Sequence, residues 1–206
     1  MQKKQNVKIT LAPLTGEDRE QFILDNQRAF KYGAMEEFGP RDDHYEEDGE
    51  IISRQTIENC IDKGTAYRIR ENGRNVGGVV LKIDEKTRHN HLVLLFVSPD
   101  AHSKGVGYAA WQEVERLYPE TRVWETCTPY FETRNIHFYV NKCGFHIVEF
   151  FNCRHPDPHD PETGEEETYA PRHSCSSLMA MKLMVGTPMR LAVSISSSYN
   201  YSARIK

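Results

Sequence analysis

The feature that most constrains this chain is an apolar run, Leu92-Val93-Leu94-Leu95-Phe96-Val97. It leads through Ser98-Pro99 to the turn Gly105-Val106-Gly107 and then to Ala109-Ala110-Trp111-Gln112-Glu113-Val114. A run that is apolar on both faces reads as a central strand. The stretch after the glycines reads as a helix, with Ala109, Val114 and Leu117 on its inner side and a stop near Pro119. Strand, glycine turn and helix together make a cradle for an anion. The first N–H groups of a helix have no intrahelical partner, and the helix dipole adds partial positive charge there.

The flanking sequence places this unit mid-domain. Val7–Leu11 alternates as a first strand, and Thr15 with Asp18 three residues on reads as the cap of a first helix carrying Phe22, Ile23, Ala29 and Phe30. Residues 36–50 read as a loop holding eight acids and one arginine. Ser53 is placed to cap a second helix that Gly64 ends. Strands around Tyr67–Ile69 and Val76–Ile83 flank Asn72-Gly73, a hairpin signal. Further on, Arg122–Thr126 reads as a strand and Asn135–Lys142 as a short helix closed by Gly144. Phe145–Phe151 and Leu178–Met184 read as the last two strands, the final one apolar enough to pair across a homodimer. Strands that hairpin and strands separated by helices imply one α/β (α+β) domain with a mixed sheet over residues 1–185. Residues 186–206 are serine-rich and read as a C-terminal tail without a catalytic role.

Composition narrows the function. A net charge of −4 and a pI near 6.1 leave no dominant basic face, which argues against a nucleic-acid partner. No apolar run approaches the roughly 18 residues of a membrane span, and Met1–Asn6 has no apolar run behind it to make a secretory signal. Five widely spaced cysteines with no C-x-x-C pair read as reduced thiols in a cytoplasmic protein. Cys127 and Cys143 have no activating partner in the sequence. His155, Asp157, His159 and Asp160 lie close together but in a segment broken by Pro156, Pro158 and Pro161, so no metal site is expected.

The glycine turn fits some phosphate ligands better than others. A P-loop fails, because Lys104 precedes Gly105 and Tyr108 follows Gly107. A dinucleotide fingerprint, with Ala110 as its third small residue, normally opens a run of parallel βαβ units, whereas this turn follows a hairpin. A kinase glycine loop lacks its H-R-D partner. His102-Ser103-Lys104-Gly105-Val106-Gly107 instead resembles the R/Q-x-x-G-x-G/A motif of the GCN5-related N-acetyltransferase (GNAT) family. Leu95-Phe96-Val97-Ser98-Pro99 before it, and Asn135, Tyr139 and Gly144-Phe145 after it, follow that family's pattern. The resemblance is specific over about residues 92–150 and looser before.

That resemblance implies a GNAT-like, mostly antiparallel sheet whose fourth and fifth strands splay apart. It implies acetyl-CoA as co-substrate and a primary amine, on a small molecule or a peptide, as acceptor. The pyrophosphate would lie over the backbone of His102, Ser103, Lys104, Gly105, Val106, Gly107 and Tyr108, with the Lys104 ammonium at hand. The pantetheine arm would run beside Phe96 and Val97, and Asn135 would hold its far side. Tyr139 matches the family's general acid, on one helical face with Asn135. Glu125, and after it His91, are the candidate bases for the amine proton. One letter departs from the motif: His102 stands where the family has Arg or Gln, which implies weaker or pH-dependent cofactor binding. Negative charge at Glu36, Glu37, Asp42, Asp43, Glu46, Glu47, Asp48 and Glu50 would attract a cationic amine, with Tyr32, Phe38 and Tyr45 as walls. The alternative function is a CoA-binding sensor or structural protein without turnover; a third is an acyltransferase using a longer acyl-CoA or an O-acceptor.

Overall fold

The computed structural model describes residues 8–39, 50–102, 105–130, 132–152, 154–155 and 180–186. Along the chain lie β1 (Ile9–Pro13), α1 (Arg19–Phe38), α2 (Arg54–Lys63), β2 (Thr65–Glu71), β3 (Arg74–Lys82) and β4 (His89–Val97). A 3-10 turn (Pro99–Ala101) leads to α3 (Val106–Leu117) and β5 (Val123–Pro129). Then come α4 (Thr133–His137), which runs on as a π-helical turn (Phe138–Lys142), β6 (His146–Phe151) and β7 (Ala180–Gly186). The seven strands form one sheet in the order β1-β2-β3-β4-β5-β7-β6. Every neighbouring pair is antiparallel except β4 and β5. The mixed α/β architecture expected from the sequence is therefore present.

Local chemistry accounts for most elements. Asn72 and Gly73 both have positive φ, 50° and 85°, as a two-residue hairpin turn with the right twist requires. Ser53 Oγ accepts from Thr56 N at 3.1 Å and caps α2. Helices cover both faces of the sheet. Phe22 and Ile23 of α1 and Ile57 of α2 pack on Val80, Leu94 and Phe96. Trp111 and Val114 of α3 pack on the other face with Trp124, Tyr139, Phe145 and Leu183. Gly78 lets Phe22 come close: a Cβ there would stand 2.3 Å from the Phe22 ring.

Three expectations are corrected here. Thr15 does not cap α1; Asp18 occupies the cap position, and its carboxylate is taken by Arg68 at 2.6 and 3.0 Å. Arg68 is 1% exposed and also bonds Asp25 at 2.7 Å, because a guanidinium taken out of water needs anionic partners. The acidic loop starts later than residue 36, since α1 continues through Phe38 and ends at Gly39. Its members Asp42, Asp43, Tyr45, Glu46, Glu47 and Asp48 lie outside the described residues. Finally, β7 is not a free strand for a second copy: it is hydrogen-bonded to β5 on one side and β6 on the other. The tail from residue 187 onward and most of the Pro-rich segment after residue 155 lie outside the described residues.

Candidate active site

The sheet opens between β4 and β5. They pair at only three positions, His89↔Val123, Asn90↔Trp124 and His91↔Glu125, while both strands continue well beyond. A bulge on β4 accompanies the parting. Val80 pairs with Leu94 and Leu81 with Leu92, so Val93 is the extra residue. The bulge exchanges the faces of the strand. Leu92 packs with Trp111 and Trp124, whereas Leu94 and Phe96 pack with Phe22 on the opposite side. Val93 itself is left 38% exposed, which the continuous apolar run did not suggest.

The two sides of the opening carry different chemistry, and consecutive residues of β5 serve them. Thr126, on the α3 side, donates its hydroxyl to Leu92 O at 2.9 Å where the strands part. It is also the hydrogen-bonding neighbour of Tyr139. The Tyr139 phenol is buried between Phe138 and Phe145, and that burial pushes its pKa up to about 12. It is therefore a protonated donor at neutral pH. The π-helical turn supports this placement: Cys143 N reaches Phe138 O and Phe145 N reaches Tyr139 O.

Glu125, on the α1 side, is 8% exposed and has three partners. His89 Nε2 lies 2.9 Å from Oε2, while His91 Nδ1 lies 3.6 Å and Lys182 Nζ 3.2 Å from Oε1. The two imidazoles stack at 5.3 Å. Burial holds His91 below the ordinary imidazole range, with Glu125 opposing and His89, Lys82 and Lys182 adding to the shift. The ligating atoms of His89, His91 and Glu125 lie within 4.8 Å of one another, but the Lys182 ammonium already supplies the positive charge beside that carboxylate. Within the cluster, Glu125 is hydrogen-bonded to His89 and lies at ion-pair distance from His91 and Lys182.

The cradle lies past the end of β4. Gly105, at φ 77°, precedes α3 and has no atom within 4 Å of where a Cβ would stand. A Cβ on Gly107 would enter the gap between Phe138, at 3.4 Å, and Val97, at 3.7 Å. His102 turns inward. Its Nε2 donates to Val97 O at 2.7 Å, and its Nδ1 accepts from Arg134 at 2.9 Å. A carbonyl only accepts and a guanidinium only donates, so these partners select the neutral Nε2–H tautomer. Arg134 bonds Glu36 with its other nitrogen at 2.9 Å, Tyr32 donates to Glu36, and the Tyr32 ring meets His102 edge-on at 5.3 Å.

Four likenesses to known proteins bear on this geometry. The model of the acetyltransferase (GNAT) family matches residues 26–145. The uncharacterized protein YrkN of Bacillus subtilis (strain 168) is 44% identical over 169 residues, covering 81% of this chain and 89% of that protein. The chain belongs to the GNAT acetyltransferase family. Its fold is also that of solved family structures. The ribosomal-protein-S18-alanine N-acetyltransferase from Escherichia coli superposes with a TM-score of 0.60 at 13% identity, covering 88% of this chain and 96% of that one. The spermidine N-acetyltransferase from Vibrio cholerae, solved with CoA and spermine, gives 0.57 at 13% identity over 87% and 95%.

Within this GNAT chain the expected site residues separate into groups. Tyr139 and Glu125 stand on opposite faces of the opening, and His91 stands beside Glu125. Phe96 and Val106 are buried in the core, so their side chains are closed to a ligand. Val97 lies at the end of β4 with its carbonyl held by His102, and Tyr108 is exposed on α3. Ser103 and Lys104 lie outside the described residues. His102 is neither a contact-free loop residue nor a free donor, since both ring nitrogens are engaged. Asn135 is at the surface, donating to Glu132 at 3.4 Å, whereas Tyr139 is in the core, so the two do not share an environment as a regular helix implied. Cys143 is buried and its thiol is pushed up to about 12, consistent with an inert side chain. Of the metal candidates, His155 pairs with Glu149 at 2.9 Å, and the others lie outside the described residues.

The sequence reading missed four members of this site. His89 was legible, because His-x-His on a strand puts both rings on one face. Thr126, Lys182 and Arg134 carried no local signal: they reach the site by sheet pairing or by a contact between distant elements.

Proposed function

We propose that this GNAT protein is an acetyl-CoA-dependent N-acetyltransferase that moves the acetyl group directly to a primary amine on a small cationic molecule. The observation that carries the reading is the pairing of acid and base across one opening. Thr126 holds the phenol of Tyr139 on one face, and the adjacent residue Glu125 holds an imidazole relay on the other. The residues present fit the cofactor, since Gly105, at φ 77°, has open space around it at the start of α3. Acetyl-CoA would lie with its pyrophosphate over the start of α3 and its thioester in the opening.

In this mechanism the amine nitrogen attacks the thioester carbon from the α1 side. Backbone N–H groups near Val97 polarise the carbonyl. The proton leaving the attacking nitrogen passes to Glu125, directly or through His91. The C–S bond breaks, and the departing thiolate takes the phenolic proton of Tyr139. The acid-rich stretch 36–50 would favour a cationic amine, although its members Glu36 and Glu50 are paired with Arg134 and Lys31.

Thermal-shift titration with CoA, acetyl-CoA and NAD tests the cofactor. Both CoA species should stabilise the fold, by about 2.7 kcal/mol at a hundredfold excess over Kd. Stabilisation by NAD with none from either CoA species would sink the reading. Turnover with an amine distinguishes the enzyme from a CoA sensor.

A further inference from the structure

We propose that Arg134 is a side chain that binds the cofactor pyrophosphate, and that Glu36 competes with the pyrophosphate for it. The proposal rests on the cofactor reading above.

Both ring nitrogens of His102 are engaged. With Nε2 spent on Val97 O and Nδ1 accepting a bond, its imidazole is neutral and has no donor left for an anion at the start of α3. The guanidinium that touches it is a permanent cation with further N–H groups to offer. Arg134 comes from α4, and its contact with His102 places it at the edge of the cradle. It is 44% exposed, so an incoming anion can reach it.

Its other partner makes the contact exchangeable. Glu36, at the end of α1, holds Arg134 at 2.9 Å and is itself 47% exposed. Exposed pairs of this kind are weak and shared with water. A pyrophosphate presents a denser negative charge and planar oxygen pairs that suit a guanidinium fork. Arrival of the cofactor therefore draws Arg134 from Glu36 to the phosphate oxygens. The bond to His102 keeps the guanidinium near the cradle in both states.

Titration calorimetry with CoA on the full chain tests this, using wild type, Arg134→Gln, Glu36→Gln and the double variant. Arg134→Gln should weaken CoA roughly tenfold, the loss of one charge-assisted hydrogen bond. Glu36→Gln should tighten CoA severalfold, because the competing carboxylate is gone, and the double variant should behave like Arg134→Gln alone. The tenfold loss should persist with dephospho-CoA, which keeps the pyrophosphate but lacks the 3′-phosphate. The opposite signs of the two single variants exclude general misfolding as the cause. Wild-type binding left unchanged by Arg134→Gln, a loss that vanishes with dephospho-CoA, or weaker binding by Glu36→Gln would each overturn the proposal alone. Failure of the wild-type chain to bind CoA would overturn the cofactor reading and this proposal with it.

Discussion

Arg68 and Arg134 each bridge a carboxylate of α1 and a second side chain, with opposite consequences. Each guanidinium reaches a carboxylate of α1 and a second partner, at distances between 2.6 and 2.9 Å. Arg68 is 1% exposed, sits over the Phe22 ring at 5.1 Å, and joins β2 to α1. Arg134 is 44% exposed and joins α4 to α1. Burial makes the first cluster part of the fold, because the Arg68 guanidinium cannot return to water. Exposure makes the second an exchangeable contact, because water or a ligand can replace either partner. The relay around Glu125 lies between these extremes, with a nearly buried carboxylate and half-exposed imidazoles.

The largest effect should come from the buried arginine. Arg68→Ala leaves Asp18 and Asp25 facing each other without their cation and should cost about 3 kcal/mol. Thermal unfolding should then fall by roughly 9 °C for a domain of this size. A loss no greater than that of a surface substitution would erase the distinction between the two arginines.

The relay comes next. Glu125→Gln keeps the shape but removes the proton acceptor, and should lower kcat by about tenfold to a hundredfold with little change in CoA affinity. An equal loss of CoA affinity would instead make Glu125 a supporting residue of the cofactor site.

The pH profile is a smaller effect with a definite sign. Burial favours neutral His91, opposed by Glu125 and reinforced by His89, Lys82 and Lys182. The relay should stay competent below the ordinary imidazole value of about 6.5 and fail only when acid charges the ring. Stability follows the same direction. As pH falls through about 6.5 the unfolded chain takes the proton first, so the contribution of His91 to folding declines. An acid limb of kcat/KM above about 6.5 would contradict this placement of His91.

The smallest effect should be that of Arg134→Gln on stability, within about 0.5 kcal/mol by thermal unfolding. A loss comparable to Arg68→Ala would make Arg134 part of the fold and remove its freedom to exchange partners.

Much of the fold was legible because its signals are local. Asn72-Gly73 set the hairpin, Ser53 the start of α2, and Leu92–Val97 the strand that borders the site. What escaped depends on distance along the chain. Asp18 was read as part of a capping box, yet the element that claims it is β2, fifty residues on. β7 inserts between β5 and β6, so its apolar pattern marks an interior strand and not an edge. The bulge at Val93 and the π-helical turn at Tyr139 are one-residue departures from regular periods, which a periodic reading averages away. At the site, Glu125 and His91 lie where β4 and β5 part, and Tyr139 neighbours Thr126 on the other face of β5. The inward turn of His102 was not legible, because Arg134 selects it from another helix.

The central claim is that acid and base on the two faces of the β4–β5 opening transfer an acetyl group from CoA to an amine. Thiol release from acetyl-CoA over an amine panel, comparing wild type with Tyr139→Phe, tests it most directly. The account predicts amine-dependent release by the wild type, slowed about a hundredfold in the variant at nearly unchanged CoA affinity. Equal release by the two proteins, or no amine-dependent release by either, would contradict it.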